Sequence, residues 1–177
     1  TKESDLRQCI ESVLQQTYTN FQYLILDNGS TDSCGKILIE YANNDARINI
    51  VRFDSNVASW RFPEIENHVE GTYLTVLDSD DWIEPNYLEK LLSFTLENAL
   101  DMACCGTQFY LENKKSNQTR SLSQDLIFYN NGDYSKYYPY YHAFMRTFWG
   151  KLIKTEIVLT SEKNTSITCS YGQDTLA

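Results

Sequence analysis

The run Leu77-Asp78-Ser79-Asp80-Asp81-Trp82 places three carboxylates within four positions, directly behind the apolar segment Tyr73-Leu74-Thr75-Val76-Leu77. A short, continuous apolar run reads as a buried strand, and the carboxyl ends of strands are where open α/β sheets gather their ligands. Carboxylates delivered there are hard oxygen ligands suited to Mg2+ or Mn2+, and a cation so held can bridge to a diphosphate. The same residues also suit a solvated acidic turn capping the helix that opens near Pro85. Spacing alone does not choose between the two.

Two further segments have comparable form. Asp27-Asn28-Gly29-Ser30-Thr31-Asp32 follows the apolar run Tyr23-Leu24-Ile25-Leu26. A strand-end carboxylate there can accept a hydrogen bond from a nucleobase N–H while the turn brings backbone amides close. Any turn before a helix has a similar composition, however. In Tyr171-Gly172-Gln173-Asp174 the aspartate is a general base if a substrate hydroxyl comes within hydrogen-bond reach, and otherwise a surface residue or a helix cap. His68 and His142 share no metal-ligand spacing with the cysteines, which suits core or surface roles. The tyrosines at 134, 137, 138, 140 and 141 can stack on sugar rings or form one face of an amphipathic helix.

The elements that must position these residues follow from periodicity. Ser4 or Asp5 can cap a first helix with Leu6, Cys9, Ile10, Val13 and Leu14 on one face. Asp32 or Ser33 can cap a second, carrying Ile37, Leu38, Tyr41 and Ala42. Strands are expected at 23–26, 48–53 and 73–77, and a helix with Leu88, Leu91, Leu92 and Leu96 follows Pro85. The order helix, strand, helix, strand, strand, helix predicts a Rossmann-like, doubly wound, mostly parallel sheet with helices on both faces. Such a sheet begins with a strand and this chain begins with a helix, so one strand is expected upstream of Thr1. Beyond residue 100 the pattern predicts a strand over 102–111, a polar loop over 112–120, a returning strand over 121–129, a strand at 151–153 and a mobile loop over 161–170.

Bulk composition narrows the function classes. The 177 residues suffice for a real core, and 42% hydrophobic and 14% aromatic content excludes a disordered segment. A net charge of -9 argues against nucleic-acid binding, though an acidic protein can hold a phosphorylated ligand through a divalent cation. The five cysteines form no C-x-x-C pair, and their odd number suits reduced thiols in a cytoplasmic setting. No apolar run approaches the roughly 18 residues of a membrane span.

Taken in order, these segments resemble glycosyltransferase family 2, with its GT-A fold. Cys9-Ile10-Glu11-Ser12-Val13-Leu14-Gln15-Gln16-Thr17-Tyr18, Asn20-Phe21 and residues 26–32 are similar to that family's opening. Residues 77–82 with Pro85 are similar to its metal-binding Asp-x-Asp segment, and Trp149-Gly150-Lys151-Leu152 and Gly172-Gln173-Asp174 to its later landmarks. The resemblance implies an inverting glycosyltransferase using Mn2+ or Mg2+, a nucleotide-sugar donor and a glycan or lipid-linked acceptor. It implies Asp27 and Asn28 at the nucleotide base, Asp78 near ribose or metal, Asp80 on the metal and Asp174 as the base. Residues 1–100 would form the donor half and 101–177 the acceptor-side half. Cytoplasmic placement at the inner face of a membrane, with peripheral association, and a homodimer are further expectations. Departures from the family's pattern are Asn28 in place of a second acid, Gln173 in place of Glu, and a divergent stretch over 57–70. They keep open an alternative, a non-catalytic glycan-binding domain on the same fold.

Overall fold

The computed structural model describes residues 3–55, 66–110 and 117–164. Helix α1 (Glu3–Leu14) turns Leu6, Cys9, Ile10 and Val13 inward, a three-and-four spacing that places them on one stripe. Strand β1 (Tyr23–Asp27), helix α2 (Cys34–Asn44) and strand β2 (Ile48–Arg52) follow. The two strands pair in parallel from Tyr23↔Ile48 to Asp27↔Arg52, with α2 as the crossover that parallel pairing requires. Side chains alternate across such a ribbon. Tyr23, Ile25, Ile48 and Ile50 therefore meet α1 and α2 on one face, while Leu24, Leu26 and Val51 meet Phe148 and Val158 on the other. Cover on both faces explains why β1 shows no polar alternation.

The remaining elements are β3 (Tyr73–Leu74), α3 (Tyr87–Glu97), β4 (Met102–Cys104), β5 (Thr107–Phe109), β6 (Gln118–Arg120), α4 (Asn131–Met145), β7 (Lys151–Lys154) and α5 (Thr155–Asn164). β7 lies between β3 and β4, antiparallel to both, and Val76 makes a parallel bridge to Trp149. Leu91 of α3 closes against Ala103 and Leu152. α5 covers the second face of the β1–β2 pair through Val158. The α/β arrangement with helices on both faces is thus present, with antiparallel strands in its later part.

Several expectations beyond residue 70 are corrected. The strand at 73–77 forms a ladder only over Tyr73–Leu74. The single strand expected over 102–111 is broken at Cys105 and Gly106, and its return is Gln118–Arg120 rather than 121–129. Tight approach at the break gives the reason: a Cβ on Gly106 would stand 3.0 Å from the Arg120 carbonyl oxygen. The guanidinium of Arg120 also lies over the Phe109 ring, 5.0 Å from its centre, holding that register. Of the loop expected over 161–170, residues 161–164 belong to α5, which runs to Asn164, and 165–170 lie outside the described residues. α4 accommodates Pro139 in its interior and buries none of its side chains.

Candidate active site

The acids behind β3 hang from α1 and the turn after it. Cys9 Sγ donates to the Asp78 carbonyl at 3.5 Å. The Ser12 hydroxyl donates to the Cys9 carbonyl at 2.7 Å and accepts from the Ile83 amide at 3.2 Å. Gln16, only 4% exposed, donates from Nε2 to the Ser12 carbonyl at 3.0 Å and the Glu84 carbonyl at 2.7 Å. Its Oε1 accepts from the Leu88 amide at 3.0 Å. Thr17 N–H donates to the Pro85 carbonyl at 2.8 Å. Residues 78–88 contribute little regular pairing of their own, so these bonds satisfy their backbone groups and fix the loop.

Within that loop the Asp81 amide closes a turn on the Asp78 carbonyl at 3.0 Å. Asp78, Asp80 and Asp81 are exposed to one cleft, which Asn28 and Trp82 also line. Partial burial against the cleft wall, and then the charge of Asp80, hold the Asp78 carboxyl above its ordinary range. Asp81 is raised likewise, by partial burial and then by Asp78 and Asp80. No lysine or arginine forms a salt bridge with these acids among the described residues. A divalent cation would relieve their repulsion and favour the ionised forms. Among the described residues no group of three or more His, Cys, Asp or Glu forms a cage for a metal. Two or three carboxylates on one loop could supply only part of a cation's oxygen shell, a number of protein ligands that suits Mg2+ better than Ca2+.

The turn after β1 is built around Asp27, whose side chain is 1% exposed. Oδ1 accepts from the Ser30 amide at 2.9 Å, and Oδ2 lies 3.4 Å from Arg52 Nη1. The Asp27 carbonyl accepts from the amides of Gly29 and Phe53, both at 2.9 Å. Gly29 takes the left-handed φ of 78° that closes the turn. Arg52 also donates from Nη2 to the Ser30 carbonyl at 2.9 Å, and a Cβ on Gly35 would stand 2.9 Å from its Nη1. The Asp27 carboxylate is therefore committed inside its own turn.

Asn28, Asp78, Asp80 and Asp81 all line one broad cavity that extends over much of the described chain, while the Asp27 carboxylate, one residue before Asn28, faces Arg52. Asp32 caps α2, accepting from the Cys34 amide at 3.0 Å. Asp174, Gln173, Arg61 and the stretch 56–65 lie outside the described residues. Sequence reasoning missed Ser12 and Gln16 as supports of the acid loop. Their signal was slight: Ser12 stands on α1 beside its apolar stripe, and Gln16 falls just past the helix end.

Residues 1–159 match the family described as glycosyl transferase family 2. Glycosyltransferase GlyA of Streptococcus pneumoniae serotype 4 is 37% identical over 101 residues, 57% of this chain and 14% of that protein. Putative glycosyltransferase EpsH of Bacillus subtilis is 31% identical over 123 residues, 69% of this chain and 35% of that protein. The chain thus spans well under half the length of either relative. The crystal structure of S. aureus TarS 1-349 superposes with a TM-score of 0.69 at 16% identity, over 90% of this chain and 46% of that one. TarS 1-349 in complex with UDP superposes at 0.54 and 21% identity, over 66% of this chain and 35% of that one. At such identities the likeness to the solved structures speaks for the fold alone.

Proposed function

The chain belongs to glycosyl transferase family 2, and from that premise we propose that it carries the donor site of an inverting, metal-assisted glycosyltransferase. The donor is a nucleotide diphosphate sugar, and the UDP bound by TarS makes a UDP-sugar the first to test. The sugar passes to a glycan or lipid-linked acceptor. The observation that carries this reading is the group Asp78, Asp80 and Asp81, mutually repelling and unpaired with any base among the described residues.

Each residue then has a task. Asp27 holds the turn through Ser30 and Arg52, so that Asn28 presents its amide to the nucleobase. Asp78 and Asp80 supply carboxylate oxygens for Mn2+ or Mg2+, which when bound would offset charge on the diphosphate. Asp174 takes the proton of the acceptor hydroxyl. That oxygen bonds to the anomeric carbon as the carbon–oxygen bond to the diphosphate breaks, and the electron pair departs with the nucleoside diphosphate. One displacement inverts the anomeric centre. In this scheme residues 1–100 serve the donor and residues 101–177 the acceptor and the base.

Calorimetric titration of the full-length protein with UDP, with and without Mn2+, tests the donor site. Binding is expected only with metal, and Asp80→Asn is expected to weaken it at least about tenfold, or ~1.4 kcal/mol. Metal-independent binding, or none to any nucleoside diphosphate, would refute the reading. Asp174→Asn should lose transfer while leaving UDP affinity unchanged.

A further inference from the structure

Trp82 directly follows the acid loop and is 44% exposed, an unusual position for the largest apolar side chain. Its ring meets that of Tyr110, itself 63% exposed, at a centroid distance of 5.8 Å and an interplanar angle of 68°. Tyr110 stands just past β5, so the two rings reach each other from opposite parts of the chain. Neither belongs to any of the apolar cores that hold the sheets and helices together. The rings line the same cleft as Asp80 and Asp81. An edge-on pair cannot cover both faces of each ring, and the negative faces of the π-systems remain available to weakly positive C–H groups.

Resting on the glycosyl-transfer reading, we propose that Trp82 and Tyr110 form the subsite for the acceptor's sugar ring. A pyranose has an apolar C–H face that suits an aromatic platform and a polar rim that stays hydrated. Seated on Trp82, it places a hydroxyl beside the acids that would hold the donor's cation. The acids also select the ring's charge. With three carboxylates on the adjoining loop and no base paired to them among the described residues, a uronic acid or phosphorylated sugar is repelled. The subsite therefore takes a neutral ring. Trp149 meets Phe109, the last residue of β5 and the neighbour of Tyr110 in the chain, edge-on at a centroid distance of 6.3 Å.

Saturation-transfer NMR titration of the full-length protein with methyl β-D-glucopyranoside, in the presence of UDP and Mn2+, tests this directly. Saturation should reach the ring C–H protons in the wild type. Affinity should fall at least about fivefold in Trp82→Ala and in Tyr110→Ala and recover in Trp82→Phe, with UDP affinity held within about twofold. Methyl glucuronide should bind more weakly than the neutral glycoside. Equal sugar affinity in the alanine variants, no sugar signal in the wild type, or stronger binding of the glucuronide would overturn the proposal. Loss of UDP affinity in Trp82→Ala with the sugar signal intact would overturn it too, by assigning the ring to the nucleotide. A wild type that binds the sugar at this pair yet never binds UDP leaves the subsite standing and removes the transferase reading.

Discussion

Replacing Gln16 by methionine keeps the side chain's length and buried volume while deleting three hydrogen bonds. Those bonds reach Ser12, Glu84 and Leu88, so the change removes the side-chain bridge between the end of α1 and the segment after the acids without opening a cavity. At about 1 kcal/mol for each intramolecular bond the loss is about 3 kcal/mol. For a chain of this size that corresponds to a fall of about 6–12 °C in melting temperature. Gln16→Glu retains an acceptor for the Leu88 amide but turns a carboxylate toward the Ser12 and Glu84 carbonyls, and should melt no higher than the methionine variant. Differential scanning calorimetry gives the stability, and Mn2+-dependent UDP titration on the same samples reads the loop. The donor affinity should fall together with the melting temperature. A methionine variant melting within about 2 °C of the wild type, with unchanged UDP affinity, would show that the acid loop does not depend on Gln16.

The raised Asp78 and Asp81 carboxyls give a pH prediction. In the folded state they keep protons that the unfolded chain releases from about pH 4, so their contribution to ligand-free stability falls as pH rises through that interval. Metal requires the ionised forms, so stabilisation by Mn2+ should grow over the same interval. Asp80→Asn should flatten both slopes, as read by thermal unfolding at stepped pH. Ala99, at the end of α3, takes a left-handed φ of 52°. Ala99→Gly should therefore stabilise by about 1 kcal/mol, raising the melting temperature by about 2–4 °C; a decrease would mean that its methyl group is needed where it stands.

Legibility in the sequence followed burial. The stripe of α1 and the apolar runs of β1 and β2 are unambiguous because both faces of that layer are covered, and the acids at residues 78–81 mark a strand end whatever the strand's length. Beyond residue 100 the signal is set by single close approaches. Gly106 against the Arg120 carbonyl fixes a short hairpin that no period of two could reveal. The apolar stretch ending in Phe128 and Tyr129 has strand composition. Its Phe128 is spent instead among Tyr134, Tyr137 and Tyr141 of α4, with centroids 5.0–5.8 Å away. The pairing of Asp27 with Arg52 depends on β2 lying beside β1, which is a property of register rather than of local sequence.

The suspension of the acid loop from α1 gives the two a common mechanical fate. Ile10, fully enclosed beneath that helix, touches no ligand, yet trimming it would let the helix settle and carry the carboxylates with it. A lesion in the hydrophobic interior would then register as weakened donor capture well below the temperature at which the fold is lost. Loss of activity in such a mutant would say more about where a helix rests than about which atoms react.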